Sequence, residues 1–145
     1  MPDTRMTQDE REDFLAAPRI GVVSIPRTGG QPLSAPVWYE YTKGGALWFL
    51  TGPMSMKGKL LGLQTPVTLV AQQEEMPYAY VSVECTVSDM RQASDDESLH
   101  MATRYLGKEN GIAYTKANSG SVSIKLTLQP HRWLSVDYAK MSLGE

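Results

Sequence analysis

From residue 78 to residue 88 the chain reads Tyr-Ala-Tyr-Val-Ser-Val-Glu-Cys-Thr-Val-Ser, a long alternation with a period of two. A period of two is a strand pattern. It places Ala79, Val81, Val83, Cys85 and Val87 on one face and Tyr78, Tyr80, Ser82, Glu84 and Thr86 on the other. The first face predicts a core and the second a more polar exterior. Five further strands are predicted, at residues 19–25, 34–41, 46–51, 65–72 and 121–128, most of them rich in β-branched and aromatic residues. Pro36 inside the second marks an edge, a bulge or the strand's start. Pro130 interrupts the last, and residues 133–138 extend it or add an edge strand.

Short turns separate most of these strands. Thr28 to Gln31 and Thr42 to Gly45 are turn-forming, so neighbouring strands pair antiparallel. Three short helices are expected. Thr7 and Glu10 make a capping box ahead of Phe14, Leu15 and Ala17, and Pro18 ends that helix. Ser94 and Glu97 make a second box, opening a helix that presents Leu99, Ala102, Tyr105 and Leu106 and stops at Gly107. The third begins near Ser55. Residues 111–116 carry no clear pattern. Six strands of this kind protect their edges best by closing into a barrel. The expected class is therefore mainly β with short helices, a six-stranded antiparallel barrel.

The 145 residues suffice for one domain, residues 1–145, with a real core. A net charge of −2 with mixed signs shows no nucleic-acid footprint. No apolar run is long enough to cross a bilayer, and the polar N-terminus lacks a signal-peptide core, so a cytoplasmic protein is expected. The one cysteine, Cys85, excludes an internal disulfide framework and fits a packed residue better than a nucleophile.

Residues 47–61 carry the main functional signal. The strand Leu47, Trp48, Phe49, Leu50, Thr51 is broken by Gly52 and Pro53. Ser55 then fits an N-cap, and Met56, Leu60 and Leu63 share one face of a short helix. Ser55, Lys57 and Lys59 converge with free backbone N–H groups at the positive end of that helix, a fit for an anion such as phosphate. A capped helix with two solvated lysines is the plainer alternative. It is no Walker A loop: Gly52 and Gly58 enclose five residues where four are needed, and Leu60 stands where the magnesium-binding hydroxyl belongs.

Other chemical constellations are missing. His100 and His131 sit on different elements without ligand partners, so no metal site is expected. There is no nucleophile elbow, Ser119-Gly120-Ser121 being a turn, and no G-x-G-x-x-G after a strand. Asp95, Asp96 and Glu97 suit the dipole of a first helical turn rather than a catalytic pair. If the protein is an enzyme, its chemistry falls to a cofactor.

The spacing of Leu50-Thr51 and Ser55-Met56-Lys57, after the strand Ala35-Pro36-Val37-Trp38-Tyr39-Glu40, resembles the pyridoxamine 5′-phosphate oxidase-like split-barrel family, the flavin/deazaflavin oxidoreductase superfamily. The resemblance covers about residues 14–137. It implies a homodimer with two cofactor sites at the subunit interface. Phosphate would lie on Ser55 and Lys57, with Thr51 facing the cofactor and the ring along Ala35, Pro36, Val37, Trp38 and Tyr39. Tyr78, Tyr80, Arg132 and Trp133 would line the site from the other subunit. Trp38, Tyr39, Tyr41, Trp48 and Tyr80 also amount to more aromatic surface than a small barrel readily buries, as interfaces favour.

Met56 stands where the family's flavin-binding oxidases carry a phosphate-binding arginine. FMN ends in a dianionic phosphomonoester, which a bidentate arginine suits. Coenzyme F420 carries a singly charged phosphodiester, so the loss of a cation tilts the resemblance towards F420, although Lys59 could restore the charge. The Pro-Val-Trp-Tyr run and Arg104 to Gly107 also resemble the F420-binding branch. The arginine-rich C-terminal substrate motif is missing, which argues against pyridoxal phosphate synthesis. The implied function is an F420-dependent reductase acting on an electron-poor small molecule. The alternatives are an FMN oxidoreductase and a non-catalytic cofactor or tetrapyrrole binder. No catalytic side chain is assigned, with Tyr39, Tyr78 and His131 as polar candidates for a proton donor.

Overall fold

A computed structural model describes residues 3–141. Helix α1 (Gln8–Ala16) precedes a meander of β1 (Ile20–Ile25), β2 (Leu33–Tyr41) and β3 (Leu47–Thr51). The one-turn helix α2 (Met56–Leu60) leads to β4 (Pro66–Gln73) and β5 (Ala79–Gln92). Helices α3 (Asp95–Leu106) and α4 (Lys108–Ala117) form a hairpin before β6 (Ile124–Asp137) and a final 3-10 turn. The six strands close in the order β1-β2-β3-β6-β5-β4, every pair antiparallel, which is the predicted barrel.

Alternation fills the interior. Val81, Val83 and Val87 of β5 are fully buried, as are Leu69 of β4, Phe49 of β3, and Leu126 and Leu128 of β6. Burial pushes the Cys85 thiol up to about 12, in keeping with a packed side chain. Thr7 and Glu10 form their capping box, and Leu15 of α1 is fully buried in the same cluster. Tyr39 also points into the core, where its hydroxyl donates to the Leu15 carbonyl at 2.8 Å.

Three expectations need revision. Residues 111–116 belong to α4, which lacks an apolar stripe because its one buried residue is Gly111. A Cβ there would lie 2.7 Å from Thr103 N, so α4 rests on α3 through a missing side chain. Pro130 does not end β6. It pairs with Cys85 next to a register shift, where a bulge accommodates the absent N–H. Strand β5 runs on to Gln92, and Val122 lies before β6, half-exposed, rather than in it. Of the aromatic side chains, Tyr39 and Tyr41 are buried, whereas Trp38, Trp48 and Tyr80 are partly exposed, Trp38 stacking on Tyr105 and Trp48 lying against His100.

Candidate functional site

The ladder between β2 and β3 is short. It pairs Tyr41 with Leu47, Glu40 with Trp48 and Tyr39 with Phe49, and goes no further. Beyond that point the strands part, leaving Pro36, Val37 and Trp38 on one lip and Leu50, Thr51 and Gly52 on the other. All six line one cavity of about 750 Å³. Pro36 fits this position because it has no N–H to offer a partner strand.

Ser55 caps α2, its Oγ accepting from Gly58 N at 3.0 Å and donating to the Gly52 carbonyl at 2.7 Å. A serine has one proton, so Thr51 Oγ1, 2.9 Å away, is the donor in the Thr51–Ser55 bond. This chain of hydroxyls fixes the turn between β3 and α2 against the cavity. Gly58 is required for it: a Cβ there would meet Gly52 O at 2.2 Å.

The α3–α4 hairpin supplies the opposite wall, through residues that include Ser98, Met101, Ala102, Tyr114 and Asn118. Gly107, with φ +85, makes the break between the two helices. Tyr105 Oη, 2.6 Å from Arg19 O and 2.9 Å from Tyr39 O, also accepts from Tyr39 N at 3.0 Å. Its burial raises the phenol pKa. Arg104 donates to the carbonyls of Tyr39 and Ala16. Glu97 accepts from Arg91 and from Lys125, each at 2.7 Å, and Arg91 holds its carboxyl well below the usual range. His100 Nε2 lies 2.7 Å from Glu40 Oε2.

Of the predicted site residues, Pro36, Val37, Trp38, Leu50, Thr51, Ser55 and Lys57 line the cavity. Ala35 lies on β2 next to them but is not part of the lining, and Tyr39 is in the core. Met56 and Lys59 are exposed on α2 and are not part of the lining. Tyr78 and Tyr80 lie at the start of β5, away from this chain's cavity, Tyr78 half-exposed. Arg132 is exposed on β6, and Trp133 packs against Tyr41 and beneath the Arg11 guanidinium of its own chain.

The polar candidates for a proton donor are also outside the lining. The Tyr39 hydroxyl is committed to Leu15, and His131 bonds to Thr86 at 2.6 Å on the exterior. The hairpin residues were missed from the sequence because only tertiary folding brings them to β2. Lys57 and Asp95 are the two charged side chains among the described lining residues. No group of three or more His, Cys, Asp or Glu is arranged to hold a metal ion among the described residues.

No protein-family model and no curated protein matches the chain. Solved structures do, and they share the closed six-stranded antiparallel barrel with short helices. A conserved hypothetical protein from Mycobacterium tuberculosis is 22% identical with a TM-score of 0.71, the match covering 99% of this chain and 95% of that one. An F420 reductase is 18% identical with a TM-score of 0.63, over 85% of this chain and 94% of that one. The FAD and heme binding protein of Mycobacterium smegmatis is 15% identical with a TM-score of 0.63, over 92% and 72%. At these identities the shared property is the fold.

Proposed function

We propose that the protein is a flavin-type oxidoreductase whose cofactor is coenzyme F420, acting as a reductase of electron-poor small molecules. One observation carries the reading. The split between β2 and β3 joins an aromatic, apolar lip at Trp38 to a turn bearing Thr51, Ser55 and Lys57, within a cavity sized for one cofactor-like ligand. The facing edges of β2 and β3 lack ladder pairing there, so their backbone groups can hydrogen-bond the rim of a planar heterocycle. The structural likeness to an F420 reductase supports the class.

The charge of the lining favours F420 over FMN. Lys57 is its one cation among the described residues, and Asp95 brings a negative charge to the same cavity. Met56 carries no charge and Lys59 is exposed outside the lining, which leaves the cavity without the arginine a phosphomonoester dianion would prefer. A singly charged phosphodiester suits one lysine.

When bound, a deazaflavin would supply the hydride. The chain's own residues would bind and orient it. Lys57 would attract the phosphate, and the Thr51–Ser55–Gly52 hydrogen bonds hold the turn that presents it. Trp38, braced by Tyr105 at a centroid distance of 5.2 Å, gives a rigid apolar surface for the ring. The α3–α4 hairpin forms the facing wall, so a ring bound between it and the lips would displace water, which strengthens polar contacts inside. Orientation is then the main contribution to rate.

A homodimer belongs to the same proposal. On the barrel exterior Val22 pairs with Pro36 and Val70, and Ile20 with Trp38, making an apolar patch that runs up to the cavity. Ile20 and Val22 are 47% and 41% exposed, a surface fit for a second copy. Tyr78, Tyr80 and Arg132 of that copy are the residues proposed to complete the site.

Fluorescence-quenching titrations with F420 and with FMN test the reading, and sedimentation analysis tests the dimer. Lys57→Ala removes a charged partner of the phosphate and is expected to weaken binding by about ten- to a hundredfold. Tight FMN binding without F420 binding would reverse the cofactor assignment. No binding of either, or no effect of Lys57→Ala, would refute the site.

A further inference from the structure

The two helices of the hairpin are held very differently. Four side chains of α3 reach out to the rest of the fold. Glu97 bonds to Arg91 of β5 and Lys125 of β6, and His100 to Glu40 of β2. Arg104 bonds to the Tyr39 and Ala16 carbonyls, and Tyr105 to the Arg19 carbonyl. Met101 and Ala102 of the same helix are buried. Helix α4 has no such ties. Among the described residues none of its side chains makes a hydrogen bond or ion pair to α3 or to a strand, and the Thr115 hydroxyl turns back to the Gly111 carbonyl of its own helix. Its one buried residue, Gly111, has no side chain to anchor it, and Ile112 and Tyr114 are each 48% exposed.

The ends of α4 suit a moving piece. At its N-terminus Gly107 has φ +85 and provides no side-chain cap. The Gly107 N–H donates to the Thr103 carbonyl at 2.9 Å, so this end is tied to α3. After α4 the chain makes a turn and an irregular stretch before β6. It is tied again where the Ser123 carbonyl accepts from Ala93 N at 2.9 Å. Helix α4 is thus a strap pinned at two points, with a glycine at one and the irregular residues 118–122 at the other. A segment with few buried apolar contacts opens at low free energy, so α4 should open while α3 stays in place.

We infer that α4 is a lid over the cavity and that Tyr114 is its latch. Tyr114 lines the cavity, and its ring lies 5.5 Å from that of Trp38 on β2, tilted by 54°. Trp38 stays behind when α4 moves, because its stacking partner, Tyr105, is on the fixed helix. Swinging α4 outward breaks the Tyr114–Trp38 contact and opens the cavity beside β2, as lids do at other binding sites. A planar ligand on Trp38 gives Tyr114 a further aromatic partner in the closed form alone, so binding shifts the population towards closure. That closure rests on the cofactor reading above, whereas the lid follows from the unequal anchoring of the two helices.

Native-state hydrogen exchange of the full chain tests this, first without ligand. Amides of α4 are expected to exchange about tenfold or more faster than those in the middle of α3. Tyr114→Ala should speed exchange in α4 by a further two- to tenfold or so, the worth of one aromatic pair, and leave α3 unchanged. Tyr114→Phe keeps the ring and should match wild type. The measurement is then repeated with saturating F420 and with saturating FMN. Whichever ligand binds should slow exchange in α4 more than in α3. Equal protection of the two helices without ligand, or α4 exchange unmoved by Tyr114→Ala, would overturn the lid. A ligand that binds and leaves α4 exchange unchanged would overturn its closure. If neither F420 nor FMN binds, the cofactor reading fails, and the ligand-free rates still decide the lid.

Discussion

Gly58→Ala distinguishes local propensity from tertiary packing. Replacing glycine by alanine inside a helix ordinarily stabilises by about 1 kcal/mol. Gly58 is in α2, but its added methyl would come 2.2 Å from Gly52 O and 3.0 Å from Pro53 O. Real Cβ atoms essentially never approach within 3.0 Å, so backbone rather than a flexible side chain must yield by about 0.8 Å. Overpacking of this kind costs about 1–3 kcal/mol. The clash should therefore outweigh the helical gain, leaving a net loss of up to roughly 2 kcal/mol. The movement falls on Gly52, the acceptor of the Ser55 hydroxyl, so the Thr51–Ser55 bond and the setting of Lys57 should suffer too. Urea denaturation and F420 titration of the same variant measure both effects. A more stable variant, or one with lowered stability and unchanged affinity, would refute the coupling of α2 packing to the site.

Two further substitutions probe the hairpin. Tyr105→Phe removes the hydroxyl that joins α3 to the Arg19 and Tyr39 backbone, stranding part-buried backbone groups. A loss of about 1–3 kcal/mol is expected in denaturant melts. Glu97→Gln should destabilise the protein at neutral pH but not in acid. Its folded pKa is depressed by Arg91 and Lys125, so its contribution is present above the unfolded value of about 4.3 and disappears as pH falls through the lower folded value. The difference in melting temperature between wild type and variant should narrow as pH falls below about 4; a constant difference would refute the ionic origin.

The strands were readable because their chemistry is local. Val81, Val83, Cys85 and Val87 announce their face by alternation, and Thr7, Ser55 and Ser94 announce helix starts by capping. Helix α4 was not, since Gly111 contributes by absence and its value depends on Thr103. Pro130 misled for a related reason: the bulge that tolerates it is a property of the β5–β6 pair. The site divides along the same line. The lip and turn from Leu50 to Lys57 lie in one stretch, whereas Ser98, Tyr114 and Ser123 reach it through the hairpin. Tyr39 lies within the matched strand, and the pleat turns its side chain inward, which the sequence alternation alone also indicates.

The pairing of β3 with β6 has a consequence for how the molecule assembles. It joins Leu47 to Leu128 and Thr51 to Ile124, residues more than seventy positions apart, whereas β1, β2 and β3 pair through neighbouring turns. Loop-closure entropy penalises such remote contacts, so this seam is expected among the slowest contacts to form. Thr51 and Ser123 meet only across it. Until β6 (Ile124–Asp137) joins β3, the proposed site lacks one of its walls, however complete the first three strands are. A ligand that fits the finished cavity would draw the population towards the closed form, and could be used during refolding to report the moment at which the seam joins.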